Sequence, residues 1–259
     1  MAPPLFLHEH REAGCFAVLP DRKFYRVGNQ FIKRTMRRDE WQKMSRTWVV
    51  TPSASIPQRY QIDVAIQQYL RERTNIPLPA LAQTFEDDGA MYLVAEFVEG
   101  VGMNELPEGD RRVQKELQQH IETLKSLRSD IPGLPGISDD QLLVAPPRLF
   151  NFRWNYHTCW RPRSDAKGDF VFCHGDLGQH NVFVDPKTLK IAAIIDWEFG
   201  GFWAEWFEWP FWTRPGGSYA HEGEEDDTER CREWLLANCE AGRGRSGGRR
   251  MRTRRGMGR

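Results

Sequence analysis

The chain has 259 residues, 40% of them hydrophobic and 28% charged, with a formal net charge of zero, which suits a globular domain or two lobes around a substantial core. No apolar run approaches the ~18 residues of a membrane helix, and the opening MAPPLFLHEHREAG lacks the basic and long apolar regions of a secretion signal; the expectation is a cytoplasmic protein with no membrane partner. Five cysteines (Cys15, Cys159, Cys173, Cys231, Cys239), odd in number and without a CxxC pair, argue for reduced thiols rather than a disulfide framework.

Taken in chain order, CFAVL, KFYRV and QFIKR are short β-rich runs separated by PDR and GN, the pattern of a three-stranded antiparallel meander. SIPQRYQIDVAIQQYLRERTNIPLP follows, with a proline in its first turn and Ile62, Ile66, Tyr69 and Leu70 on one helical face until Pro77 stops it. ALAQTFED and AMYLVAEFVEG read as two more strands joined at Asp88-Gly89. Residues 1–100 are therefore a small sheet with one helix. Residues 101–240 begin a second, larger and mainly helical lobe, where Val113, Leu117, Ile121, Leu124 and Leu127 recur at helical spacing. After the Pro/Gly-rich DIPGLPGISDDQLLVAPPRLF, short strands return at DFVFCHG, NVFVD and KIAAIIDWEF. The aromatic run WEFGGFWAEWFEWPFW suits a helix whose Trp203, Trp206, Phe207 and Trp209 pack in the core. The acids of EGEEDD suit the first turn of the helix that follows them. The last acid is Glu240, and residues 241–259 carry eight arginines, so the net charge is −8 up to residue 240 and +8 beyond it. A Gly/Arg segment of this density builds no core and is read as a disordered tail.

One stretch holds polar groups where a core is expected. In VFCHGDLGQHNVFVD, Asp176 precedes Asn181 by five residues, and Asp196 ends the apolar run IAAII fifteen residues later. Turn-forming residues, a metal site and a catalytic loop are the competing readings. The aspartate and asparagine flank one loop, and a second aspartate stands at a neighbouring strand end; such a set offers hard oxygen ligands of the kind magnesium favours. It leaves Asp176 free to accept a hydroxyl proton. A zinc site from His157, Cys159, Cys173 and His174 fits less well, because adjacent residues of a strand point to opposite faces.

HGDLGQHN followed by IIDWE resembles the aminoglycoside phosphotransferase and choline kinase group of protein-kinase-like enzymes. More narrowly, TNIPLP, YLVAEFVEG, HGDLGQHNVFVD, IIDWEFGGF and ERCREWL resemble fungal phosphotransferase-family proteins of unassigned substrate, in order from about Phe24 to Leu236. The resemblance implies an α+β, protein-kinase-like bilobal fold, with a nucleotide-binding sheet and hinge in residues 1–100 and the catalytic loop and metal site in residues 101–240. It implies ATP and magnesium (Mg2+) as cofactors and a small-molecule hydroxyl as acceptor. Carried over by position, Asp176 is the base, Asn181 and Asp196 hold the metal, His174 braces the loop and Lys33 meets the α and β phosphates. Glu96, Phe97 and Val98 offer backbone groups to adenine.

Two departures from the pattern bear on nucleotide binding. LPDRKF supplies no glycine where kinase-like sites carry a glycine-rich loop, and Asp63, one methylene shorter, stands for the glutamate that pairs with the strand lysine, with Glu72 the other acid of that helix. The competing class is accordingly a nucleotide-binding pseudokinase or binding module without turnover. Nucleic acid is a conceivable partner through the arginine tail alone; the oligomeric state is not legible.

Overall fold

The computed structural model describes residues 12–43, 49–50, 52–53, 55–80, 82–107, 111–138, 142–149 and 159–241. The three N-terminal β-rich runs form a meander of β1 (Cys15–Val18), β2 (Arg22–Val27) and β3 (Gln30–Thr35). Helix α1 (Ile56–Arg73) follows, and then β4 (Gln83–Asp87) and β5 (Ala90–Glu96). The five strands make one antiparallel sheet in the order β1-β2-β3-β5-β4. The β4–β5 hairpin closes at Asp88 and Gly89, whose φ angles of 47° and 65° are the positive values a two-residue hairpin requires.

Register decides what each face of this sheet carries. Phe24 pairs with Lys33, Lys33 with Leu93 and Phe31 with Ala95, so these side chains share a face. The opposite face carries Lys23, paired with Arg34, and Tyr25. Helix α1 joins the sheet to the rest of the molecule. Its Ile56 and Tyr60 pack with Met91, Leu93 and Ala95 of β5, while Ile62, Ile66 and Leu70 enter the larger core. The expected stripe is therefore present, but it serves two neighbours.

In α2 (Arg111–Ser126), which follows β6 (Val101–Gly102), the apolar stripe Val113, Leu117, Ile121 and Leu124 is buried in that core as its spacing predicts, while Leu127 falls just past the helix and is half-buried. Besides a two-residue pair, Gln42–Lys43 with Val49–Val50, the strands past α2 are β7 (Arg128–Ser129), β8 (Leu143–Val144), β9 (Cys159–Pro162), β10 (Phe170–Cys173), β11 (Val182–Asp185), β12 (Lys190–Ile194) and β13 (Gly201–Trp203), before α3 (Thr228–Asn238) and β14 (Cys239–Ala241). They make three small sheets, β8-β9-β14, β13-β10-β7 and β12-β11-β6.

The expectation of a mainly helical second part needs correction for the described residues, since α2 and α3 are joined largely by short strands and 3-10 turns. The aromatic run shows why. It becomes three 3-10 turns, Trp197–Phe199, Glu205–Phe207 and Phe211–Thr213, with β13 between the first two, because Gly200 and Gly201 interrupt it and Pro210 withholds the N–H a helix needs. Two of its four expected core aromatics meet the expectation: Trp203 and Phe207 are fully buried and stack with ring centroids 4.7 Å apart, whereas Trp206 and Trp209 are half-buried.

Ala241 still pairs with Trp160; residues 242–259, and with them the predicted disordered tail, lie outside the described residues. No helix among the described residues is long and apolar enough to cross a membrane.

Candidate active site

The loop from His174 to Asn181 is held in place before any ligand is considered. Gly175 has φ 82°, and a Cβ there would stand 2.5 Å from the Phe199 carbonyl oxygen, so only glycine lets the chain turn at this point. His174 is fully buried. Its Nε2 lies 2.9 Å from the Ile195 carbonyl, and its Nδ1 accepts the Asp176 N–H at 3.2 Å. The ring is thus a neutral donor–acceptor bridge between the loop and the strand end carrying Asp196, and burial pushes its pKa down to about 4. The Ile195 N–H closes a second bridge to the Asn181 carbonyl at 3.0 Å.

Within the loop, the Asn181 amide donates to the Asp176 carbonyl at 2.8 Å. This orientation commits the amide nitrogen and leaves Oδ1 free to accept. Burial raises the Asp176 carboxyl to about 6, which makes it a better proton acceptor than a solvated aspartate. Asp196 adopts the left-handed region at φ 68°, ψ 49°, a conformation costly for a non-glycine residue and concentrated at functional sites. Its Oδ1 receives the Lys33 ammonium at 2.5 Å. Although burial alone would raise Asp196, the lysine holds it down at about 2.

Lys33, Asp63, Glu96, Phe97, Val98 and Asp196 line one cavity of about 470 Å³. Its sheet side is apolar, where Phe16 stands 6.3 Å from Phe24 and 6.4 Å from Phe97 between ring centroids, and Phe24 stands 5.9 Å from Phe31. At the edge, the Glu96 N–H donates to Ala80 and the Phe97 N–H to Asn29. The Val98 N–H has no backbone partner among the described residues. Asp176 and Asn181 lie beside the Asp196 end rather than in the lining.

The expected pairing of Lys33 with Asp63 is not what the geometry gives. Asp63 accepts the Gln67 amide at 2.9 Å, and burial pushes its carboxyl up to about 7. Lys33 lies within 4 Å of Asp196 and Glu198 instead. Glu72 is not an alternative partner: it is exposed and pairs with Arg73 at 2.8 Å.

Two acids escaped the sequence reading. Glu208 accepts the backbone N–H groups of His174 and Gly175 and so fixes the start of the loop; nothing in an aromatic-rich run advertises such a role. Glu198 is buried against Arg59 of α1, and an acid two residues past Asp196 in an otherwise apolar segment was its visible signal. Two acids of the run EGEEDD serve the fold, Glu224 gripped by Arg214 and Asp227 by Arg148. His157 lies outside the described residues, and among the described residues no three His, Cys, Asp or Glu side chains gather to hold a metal ion.

The model of the phosphotransferase enzyme family matches residues 25–234, which is most of the chain and both halves of the site. The chain belongs to the phosphotransferase enzyme family. Among curated proteins, this family member is similar to an aminoglycoside 3'-phosphotransferase of Streptomyces fradiae, with 28% identity over 158 residues that cover 48% of this chain and 53% of the relative. It is also similar to an aminoglycoside 3'-phosphotransferase of Staphylococcus aureus, with 26% identity over 54% of this chain and 59% of the relative. The chain spans about half the length of the curated relatives it matches. Among solved structures, aminoglycoside phosphotransferase APH(3'')-Id of Streptomyces rimosus aligns with TM-score 0.47 and 17% identity over 90% of this chain and 88% of that one.

Proposed function

We propose that this member of the phosphotransferase enzyme family transfers the γ-phosphoryl group of ATP to a hydroxyl of a small molecule. The observation that carries the proposal is the meeting of Lys33 with Asp196 at 2.5 Å in the cavity, with the Asp176–Asn181 loop stitched to the same strand end. The family match over residues 25–234 and the likeness to aminoglycoside 3'-phosphotransferases support phosphoryl transfer to a small molecule.

In this reading the Phe24, Phe31 and Phe97 rings cover the base, the Val98 N–H meets its edge and Lys33 holds the phosphates. Asn181 Oδ1 and the Asp196 carboxylate fit magnesium, which is commonly held by one or two protein oxygens, with phosphate and water completing its shell. Bound there, it neutralises phosphate charge. Asp176 orients the acceptor hydroxyl and takes its proton as the new O–P bond forms and the bond to ADP breaks. The narrower likeness to fungal members leaves the acceptor open, because acceptor choice lives in site detail rather than fold.

The test is an ATP-consumption screen across hydroxyl-bearing metabolites and aminoglycosides, with mass detection of the phosphorylated product. Nucleotide binding without turnover on any acceptor would leave the pseudokinase alternative in its place.

A further inference from the structure

We propose that Glu198 is the positioning carboxylate of Lys33, supplied by the segment after Asp196 in place of an acid from helix α1. The inference rests on the nucleotide-binding reading above and concerns how that site keeps its lysine in place.

Kinase-like phosphoryl transfer needs the strand lysine held by an acid while the metal-binding aspartate serves the metal. Here the only carboxylate in hydrogen-bond contact with Lys33 among the described residues is Asp196, the same group assigned to magnesium. A carboxylate engaged by a divalent cation is a poorer anchor for an ammonium, so Lys33 needs a second anion. Asp63 is poorly suited: its Oδ1 is taken by Gln67, and no ion pair within 4 Å joins it to the lysine, whereas Asp196 and Glu198 both make one.

Glu198 has the required features. It is 1% exposed, one oxygen is engaged by Arg59, and Arg22 Nη1 stands 3.9 Å from that oxygen. The other oxygen, Oε2, has no hydrogen-bond partner among the described residues. It lies 3.8 Å from Lys33 Nζ. A buried carboxylate oxygen without a donor is costly, and the lysine's flexible stem can close this gap with a shift of about 1 Å. Lys33 therefore has two stations, Asp196 in the free protein and Glu198 once Asp196 turns to the metal. The helix keeps its influence with polarity reversed, because α1 contributes the cation Arg59 and the DWE segment contributes the acid.

A double-mutant cycle on the full chain decides the matter, with Mg–AMP-PNP affinity by calorimetry and the melting temperature of the ligand-free protein as readouts. Glu198→Gln is expected to weaken Mg–AMP-PNP binding about tenfold, and to have almost no further effect in a Lys33→Met background. Glu198→Asp, which withdraws the carboxylate by one methylene, should fall in between, and it replaces Glu198→Gln in the cycle should that variant fail to fold. An equal affinity loss in both backgrounds would overturn the inference, since Glu198 would then act on the fold and not through Lys33. So would a lowered melting temperature with unchanged affinity. Failure of the wild type to bind Mg–AMP-PNP would instead overturn the nucleotide reading, and this inference with it.

Discussion

Lys33 and Arg34 are neighbours on β3, both almost fully buried at 4% and 1% exposure, and they have opposite lives. Arg34 is satisfied within its own part of the chain. Its guanidinium reaches Glu40 at 2.6 Å, the Tyr25 hydroxyl at 2.7 Å and Glu12 at 3.1 Å. Lys33, on the other face, finds its partner 163 residues away. The difference separates a structural charge from a site charge. A buried cation whose fork is filled by local acids closes the sheet against its covering segment, whereas one whose anion comes from a distant strand end marks where two parts of the molecule must meet. Neighbouring positions on a strand point to opposite faces, so a shift of register by one residue would exchange the two roles.

The strongest way to sharpen this contrast is at the far end of the Lys33 connection. Asp176→Asn should leave the melting temperature and ATP binding in place and lower turnover by ~10² to 10⁴, while Asp196→Ala should abolish magnesium-dependent nucleotide binding. Turnover at the parent rate on an identified acceptor in both variants would remove these residues from the chemistry.

Next in size is the direct comparison of the two cations. Arg34→Ala removes the buried cation that Glu40, Glu12 and the Tyr25 hydroxyl share, leaving Glu40 to Lys23 at 2.7 Å, and should cost about 3 kcal/mol in denaturant unfolding. Lys33→Ala should instead weaken ATP binding by roughly tenfold or more with a much smaller change in stability. If the two variants show the same profile, the distinction between structural and site charge is broken.

A smaller effect is expected from pH. The neutral His174 ring bridges the loop to Ile195, and its pKa is pushed from 6.5 down to about 4 by burial. Its neutral form is the folded form, so the stability it contributes is complete above pH 6.5 and is lost as pH falls toward 4. Melting curves of His174→Gln should be flatter than the parent's across that interval; parallel curves would assign acid sensitivity to other groups.

The least effect is expected from removing residues 242–259. Turnover and melting temperature should stay nearly unchanged, while any RNA binding should vanish with the tail and, in the full chain, weaken steeply with salt. Loss of activity on truncation would place the tail within the working enzyme.

Periodicity and turn chemistry alone were enough to mark the meander, the Asp88-Gly89 hairpin, α1, α2 and the strands around the loop, because each depends on residues close together in the chain. The loop was legible too: Asp176, Asn181 and Asp196 are close in sequence, and their residue types restrict the chemistry. What holds Lys33 was not legible. Asp63 looked like its partner because it stands in the helix where the resembled enzymes carry the pairing glutamate, yet only the packed structure brings Glu198 within 3.8 Å of the lysine and turns Asp63 to Gln67. The aromatic run likewise declared that it would be buried but not that it would be a strand and 3-10 turns. Burial follows from composition, whereas the pairing of charges and the path of the backbone through a core follow from which distant segments compete for the same buried space.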